Sequence, residues 1–117
     1  MDESKKRDLL AAGIDVDGAL ARLMGNETLF LRLLQKFLAD KNYAKLVNAL
    51  ETGDAEAALA ASHTLKGVCG NLSMTALFDL LTRQVAALRA GQWQEAVDML
   101  AQIAPAYERV SGAIRGL

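Results

Sequence analysis

The 117-residue sequence contains one histidine, His63, inside the run SHTLKGVCGNL from Ser62 to Leu72. An imidazole can serve as a nucleophile, a proton carrier or a metal ligand. Its neighbours narrow the choice. Lys66 stands three places on, Gly67 four and Gly70 seven. Lys66 either is an ordinary surface lysine or places a cation that favours the neutral ring and could neutralise a phosphoryl group carried on it. Metal binding has no support: His63 and the single cysteine, Cys69, are six apart and fall on different faces of a helix, and two ligands do not make a site. With no second histidine, a serine or cysteine triad has no base. Cys69 falls towards the apolar side, as a small buried hydrophobe rather than a nucleophile.

The residues GDAEAALAA ahead of the histidine read as helix, with Asp54 as its N-cap. Ala58, Ala61, Leu65, Val68 and Leu72 recur at steps of three and four and form the stripe that faces a core. His63 falls on roughly the opposite side, with Leu59, Lys66, Gly67 and Gly70 at i−4, i+3, i+4 and i+7. It is therefore expected at the surface. A glycine inside an exposed helix costs about 1 kcal/mol relative to alanine. Gly67 removes the side chain one turn beyond the histidine and leaves a bare surface for a partner's approach. Gly70 extends that bare strip, although glycines are also common where helices finish. Leu59 is an apolar residue on the histidine side, placed to anchor a docked partner.

The remaining chain supplies helices to hold that face. Glu3 to Ala12 stops at Gly13. Asp15 caps a short helix from Val16 to Met24, and Gly25 and Asn26 end it and start the next. A long helix follows from about Glu27 to Glu51, with Leu29, Phe30, Leu33, Leu34, Phe37 and Leu38, then Leu46, Val47 and Leu50, as its apolar positions. Asp40-Lys41-Asn42 interrupts the pattern and marks a bend or a phase shift. After the histidine helix, Ser73 can cap a helix with Leu77, Leu80, Leu81, Val85 and Leu88 inward, ended by Gly91. The last helix runs from about Trp93 to Arg115, and Pro105 should kink it. Strand signals are almost absent. Short connections between long helices imply antiparallel neighbours. The expected fold is all-α: an antiparallel, up-and-down four-helix bundle with short additional N-terminal helices. One domain is expected over residues 1–117, with 1–13 an N-terminal helix or frayed arm and 14–115 the bundle.

Composition excludes several classes of function. A hydrophobic fraction of 52% supports a core, and 5% aromatic content makes that core mostly aliphatic. The net charge of −1, from 13 basic and 14 acidic residues, suits neither a nucleic-acid groove nor an anionic membrane. No apolar run approaches the ~20 residues of a membrane span. The N-terminal residues are charged and resemble no signal peptide. The expectation is a soluble, cytoplasmic protein that binds no nucleic acid and no membrane.

The residues HTLKGVCGNL resemble the signature of the histidine-containing phosphotransfer (HPt) domain: histidine, any residue, an apolar residue, lysine, glycine, then small residues. The pattern matches at His63, Leu65, Lys66 and Gly67. Upstream, GNETLFLRLLQKFLAD is similar to the family's Leu-Leu-x-x-Phe helix and GDAEAALAASHTLKG to its lead-in. The resemblance covers roughly Ile14 to Ile114. It implies that His63 accepts a phosphoryl group through Nε2 from the phosphoaspartate of a response-regulator receiver domain and passes it to another receiver's aspartate, with Lys66 neutralising phosphate charge. It implies receiver domains or a hybrid histidine kinase as partners, no cofactor of the chain's own, and a Mg²⁺ carried by the receiver; the glycine strip needs access, so a working monomer is expected. No phosphate-binding glycine-rich loop is present, so kinase activity from ATP is not expected. The alternative is a helical interaction module that docks a receiver or kinase without transferring phosphate; an enzyme with its own small substrate has the least support.

Two departures from the family pattern stand out. Ser73 occupies a position that is usually glycine. The family often places a glutamine or acidic residue of the next helix near the histidine. Counting puts Val85 there, with Gln84 beside it: either the register shifts and Gln84 contacts His63 Nδ1, or that contact is absent. Arg83 is a further candidate neighbour.

Overall fold

A computed structural model describes residues 1–117, and the chain is all-α. Eight helices follow in order: α1 Glu3–Ala11, α2 Val16–Arg22, α3 Glu27–Leu38, α4 Asn42–Thr52, α5 Ala55–Asn71, α6 Thr75–Arg89, α7 Trp93–Asp98 and α8 Leu100–Arg115. Four starts are set by a short polar side chain that accepts a hydrogen bond from an otherwise orphaned N–H. Asp2 takes Lys5 N, Asp15 takes Gly18 N, Asn26 takes Leu29 N and Asp54 takes Ala57 N, at 2.8 to 3.1 Å.

The long helix expected over Glu27–Glu51 is divided into α3 and α4. Asp40 Oδ1 accepts from both the backbone N–H (2.8 Å) and the side-chain amide (2.9 Å) of Asn42, a local turn that competes with the helical ladder. Ala39 and Lys41 both keep right-handed helical conformations, so the chain bends at this point without reversing. Reversal comes at Gly53, whose φ of 76° lies in the left-handed region. The last expected helix is also divided, at Met99. α8 then runs through Pro105. Pro105 does not end the helix: it and Ala101, whose carbonyl loses its donor, are both exposed, so water can satisfy that carbonyl.

α5 packs against α4 on one side and α6 on the other, and α8 closes the bundle against α6 and α3. The turns into α5, α6 and α7 are two or three residues long, which forces antiparallel neighbours. The result is elongated, 43 × 23 × 20 Å. Phe30, Leu34, Phe37, Leu46, Leu65, Leu77, Leu81, Ile103 and Ile114 fill the core. Tyr43 of α4 stacks on Tyr107 of α8, 3.8 Å between ring centroids. α1 is seated by the buried Leu9 and packs on α8 and α2.

Ser73 does not cap α6. That position falls to Met74, whose side chain makes no capping bond. Ser73 instead has φ +54°, a left-handed conformation that costs a residue with a Cβ and that glycine would adopt freely. The turn is held from outside: Asp15 N donates to Ser73 O at 2.8 Å, and the Arg22 guanidinium donates to Ser73 Oγ.

One buried polar link crosses three helices. Ser62 Oγ donates to Gln84 Oε1, and Gln84 Nε2 donates to the Ala96 carbonyl, each at 2.9 Å. Both side chains are fully buried. Gln84→Leu is expected to lose about 1–3 kcal/mol by stranding the serine hydroxyl and the carbonyl. Urea unfolding would measure this, and adding Ser62→Ala should recover part of the loss.

Burial also pushes the Cys69 thiol up from 9.0 to about 12, and raises Tyr43 and Tyr107. In each case the folded state favours the neutral form. That contribution to stability is complete below the ordinary values and is lost as pH climbs towards the folded ones. The thermal midpoint should hold level up to about pH 9 and fall above it, less steeply in Cys69→Ala.

Candidate functional site

The site is one face of α5. Ala58, Ala61, Ser62, Leu65 and Cys69 are buried on its inward side. Helical geometry then turns His63 and Gly67 outward, and both are exposed. The His63 ring makes no hydrogen bond, so its nitrogens are open to an incoming group. Leu59 and Lys66 are half-buried along the same face.

The two glycines have different roles. A Cβ built on Gly67 would meet nothing within 4 Å. Nothing within this chain requires glycine there, yet the helix bears the propensity cost. Gly70 is different. A Cβ there would lie 3.1 Å from Cε2 and 3.3 Å from Cδ2 of Phe78, a residue of α6. The expected bare strip therefore ends at Gly67, and Gly70 is covered by an aromatic ring for which it makes room.

Phe78 was not visible as a site residue in the sequence. Its signal is an aromatic just off the Leu77–Leu81 stripe, close to a glycine-rich helix end. Its ring also takes the Lys66 ammonium, with Nζ 5.8 Å from the centroid. Such an exposed cation–π contact is worth about 0.5–1 kcal/mol. Lys66 belongs to none of the three ion pairs in the structure. Its charge is held near the histidine face and uncompensated by a carboxylate.

Gln84 is a correction. It does not reach His63 and is not on the surface. Its carbonyl oxygen and amide are both engaged by Ser62 and Ala96 in the interior. The neighbouring Val85 is buried, and Arg83 is exposed. The glutamine thus acts on the serine immediately before the histidine rather than on the imidazole. The sequence could not separate these two choices, because one residue of register turns a side chain by about 100°.

No helix is long and apolar enough to cross a membrane. A family model described as the Hpt domain matches residues 32–113. No curated protein and no solved structure matches the chain. The matched segment takes in most of α3, all of α4 to α7 and nearly all of α8, so the helix that presents His63 lies within it together with both flanking helices. With well over half of its length matched, the chain belongs to the Hpt domain family, the histidine phosphotransfer domains of two-component phosphorelays.

Proposed function

We propose that His63 is the phosphoacceptor of a phosphorelay, taking a phosphoryl group from a receiver-domain aspartate and delivering it to the aspartate of another receiver. The observation that carries this reading is the exposed, unbonded imidazole beside a glycine that the chain's own packing does not require. In the forward step the Nε2 lone pair attacks phosphorus in line, the bond from phosphorus to the aspartyl oxygen breaks, and the carboxylate leaves with the electron pair. The ring keeps its proton on Nδ1. Return to a second aspartate reverses each change.

Phosphoryl transfer through a loose transition state asks for positioning and charge neutralisation more than for covalent help. Lys66 supplies the cation, within reach of the phosphoryl oxygens after it leaves the Phe78 ring. Gly67 lets the receiver's loops approach the imidazole, and the half-buried Leu59 gives them an apolar footing. This reading assigns no cofactor to the chain: the Mg²⁺ belongs to the receiver. It also places a monomer in the cytoplasm, where receivers and hybrid kinases work.

The test is transfer from phosphorylated receiver domains of the same cell. Acid-labile, base-stable label should arrive on the wild type and not on His63→Gln. Binding of a receiver without label would favour a docking module that transfers nothing. Lys66→Ala should slow labelling about ten- to hundredfold, as loss of a charge-stabilising group does. Gly67→Gln separates docking from folding. It should raise stability by roughly 0.5–1 kcal/mol through helix propensity and lower receiver-dependent labelling at least about tenfold. A variant that gains stability and keeps full labelling would remove Gly67 from the docking surface.

A further inference from the structure

Lys66 and Gly70 stand one turn apart on α5 and share a face of that helix. Across this face lies the ring of Phe78, a residue of α6. The ring comes in close because Gly70 has no side chain: a Cβ there would lie 3.1 Å from Cε2, and the ring would have to shift. Seated against Gly70, the ring has its centroid 5.8 Å from the Lys66 ammonium. Both residues are half-buried. The ammonium belongs to none of the three ion pairs, so the π face is the partner that holds it. A lysine stem is flexible, and its ammonium in water samples many positions. Here the chain's own packing favours one of them.

We propose that Phe78 is a positioning residue that sets how strongly the chain retains a phosphoryl group, by holding Lys66 until His63 is phosphorylated. The inference rests on the phosphotransfer reading of His63. Phosphorylation at Nε2 puts an anionic group about one helical turn from Lys66. An ammonium that turns to the phosphoryl oxygens leaves the ring. The contact with Phe78 therefore belongs to the unphosphorylated chain and is given up in the phosphorylated one. It subtracts from the stabilisation that Lys66 lends to phosphohistidine. A relay residue must release what it accepts, and an undiminished ion pair would favour retention. The effect on the transfer equilibrium is about two- to fivefold, the worth of one exposed cation–π contact. Phe78 touches no reacting atom. It acts through Lys66 alone, so its effect must vanish when the lysine is removed.

Two measurements on the full chain test this. The first takes the forward and reverse rates of transfer with the receiver that labels the wild type fastest; their ratio is the transfer equilibrium. Phe78→Leu should move that ratio about two- to fivefold towards the phosphorylated chain. Phe78→Tyr, which keeps a π face, should match the wild type. In a Lys66→Met background Phe78→Leu should change nothing. Circular dichroism establishes that the variants fold. A ratio unmoved by Phe78→Leu would overturn the proposal, as would an equal shift in the Lys66→Met background, which would mean that the ring acts through packing. The second measurement needs neither a receiver nor a variant. Phosphoramidate phosphorylates the wild type at His63, phosphorus bonding Nε2 as its bond to nitrogen breaks and ammonia leaves. The NMR signal of the Lys66 ε-methylene, shifted upfield by the ring current of Phe78, should move towards that of a free lysine. A signal that stays upfield on the phosphorylated chain would overturn the proposal. If no receiver labels the wild type, the phosphorelay reading fails, and the NMR signal still decides whether Phe78 gives up Lys66 to a phosphorylated His63.

Discussion

The hydrogen bond from Ser62 to Gln84 fixes the rotation of α5 within the side its apolar stripe already selects. Ser62 immediately precedes His63, and a helix advances by about 100° per residue. Anchoring the serine in the interior therefore points the histidine well away from it. Gln84 passes the constraint on, since its amide is bound in turn to the Ala96 carbonyl. Three helices are thereby held in one rotational register by two bonds of 2.9 Å. A buried polar group left without a partner costs more than a satisfied one contributes. Alternative rotations of α5 would strand these groups, which makes the link more specific than the apolar contacts around it.

Around that anchor the two long flanks of α5 are built differently. On the α6 side the fit is close, and Gly70 is present because the Phe78 ring occupies the space a side chain would fill. On the α4 side small residues such as Ala57, Ala60 and Ala61 line a surface cleft. Gly67 lies on the exposed face and answers to neither flank. What sets Gly67 apart is its place one turn from His63, where open space above the helix adjoins the imidazole. Fold and transfer chemistry therefore make separable demands on the same seventeen-residue helix.

The turn that follows α5 is a second place where local preference gives way. Ser73 is held left-handed by contacts from the N-terminal segment, through Asp15 and Arg22. The same contacts fix α2 against the α5–α6 turn. α2 thus braces the end of the helix that presents the histidine.

Much of this was legible in the sequence because it depends on local physics. The all-α class, the caps at Asp15, Asn26 and Asp54, the inward stripe of α5 and the outward placement of His63 follow from helical periodicity and from side chains bonding their own backbone. The HTLKG run carried the family resemblance for the same reason: its spacing sets Leu65 inward and His63 and Gly67 outward on one helix. The details that required the assembled bundle all involve residues far apart in the chain. Asp40 signalled an interruption, but bend and phase shift look alike in one dimension. Ser73 was a plausible cap until Asp15 and Arg22 engaged it from nearly sixty and fifty residues away. Gln84 stood one position from a register that would have brought it to the imidazole, and the packing of α6 against α5 and α7 turned it inward. Gly70 looked like Gly67 until Phe78 was placed over it. Periodicity reports which side of a helix is apolar; what touches the other side depends on how helices meet, and that is settled by packing across the whole chain.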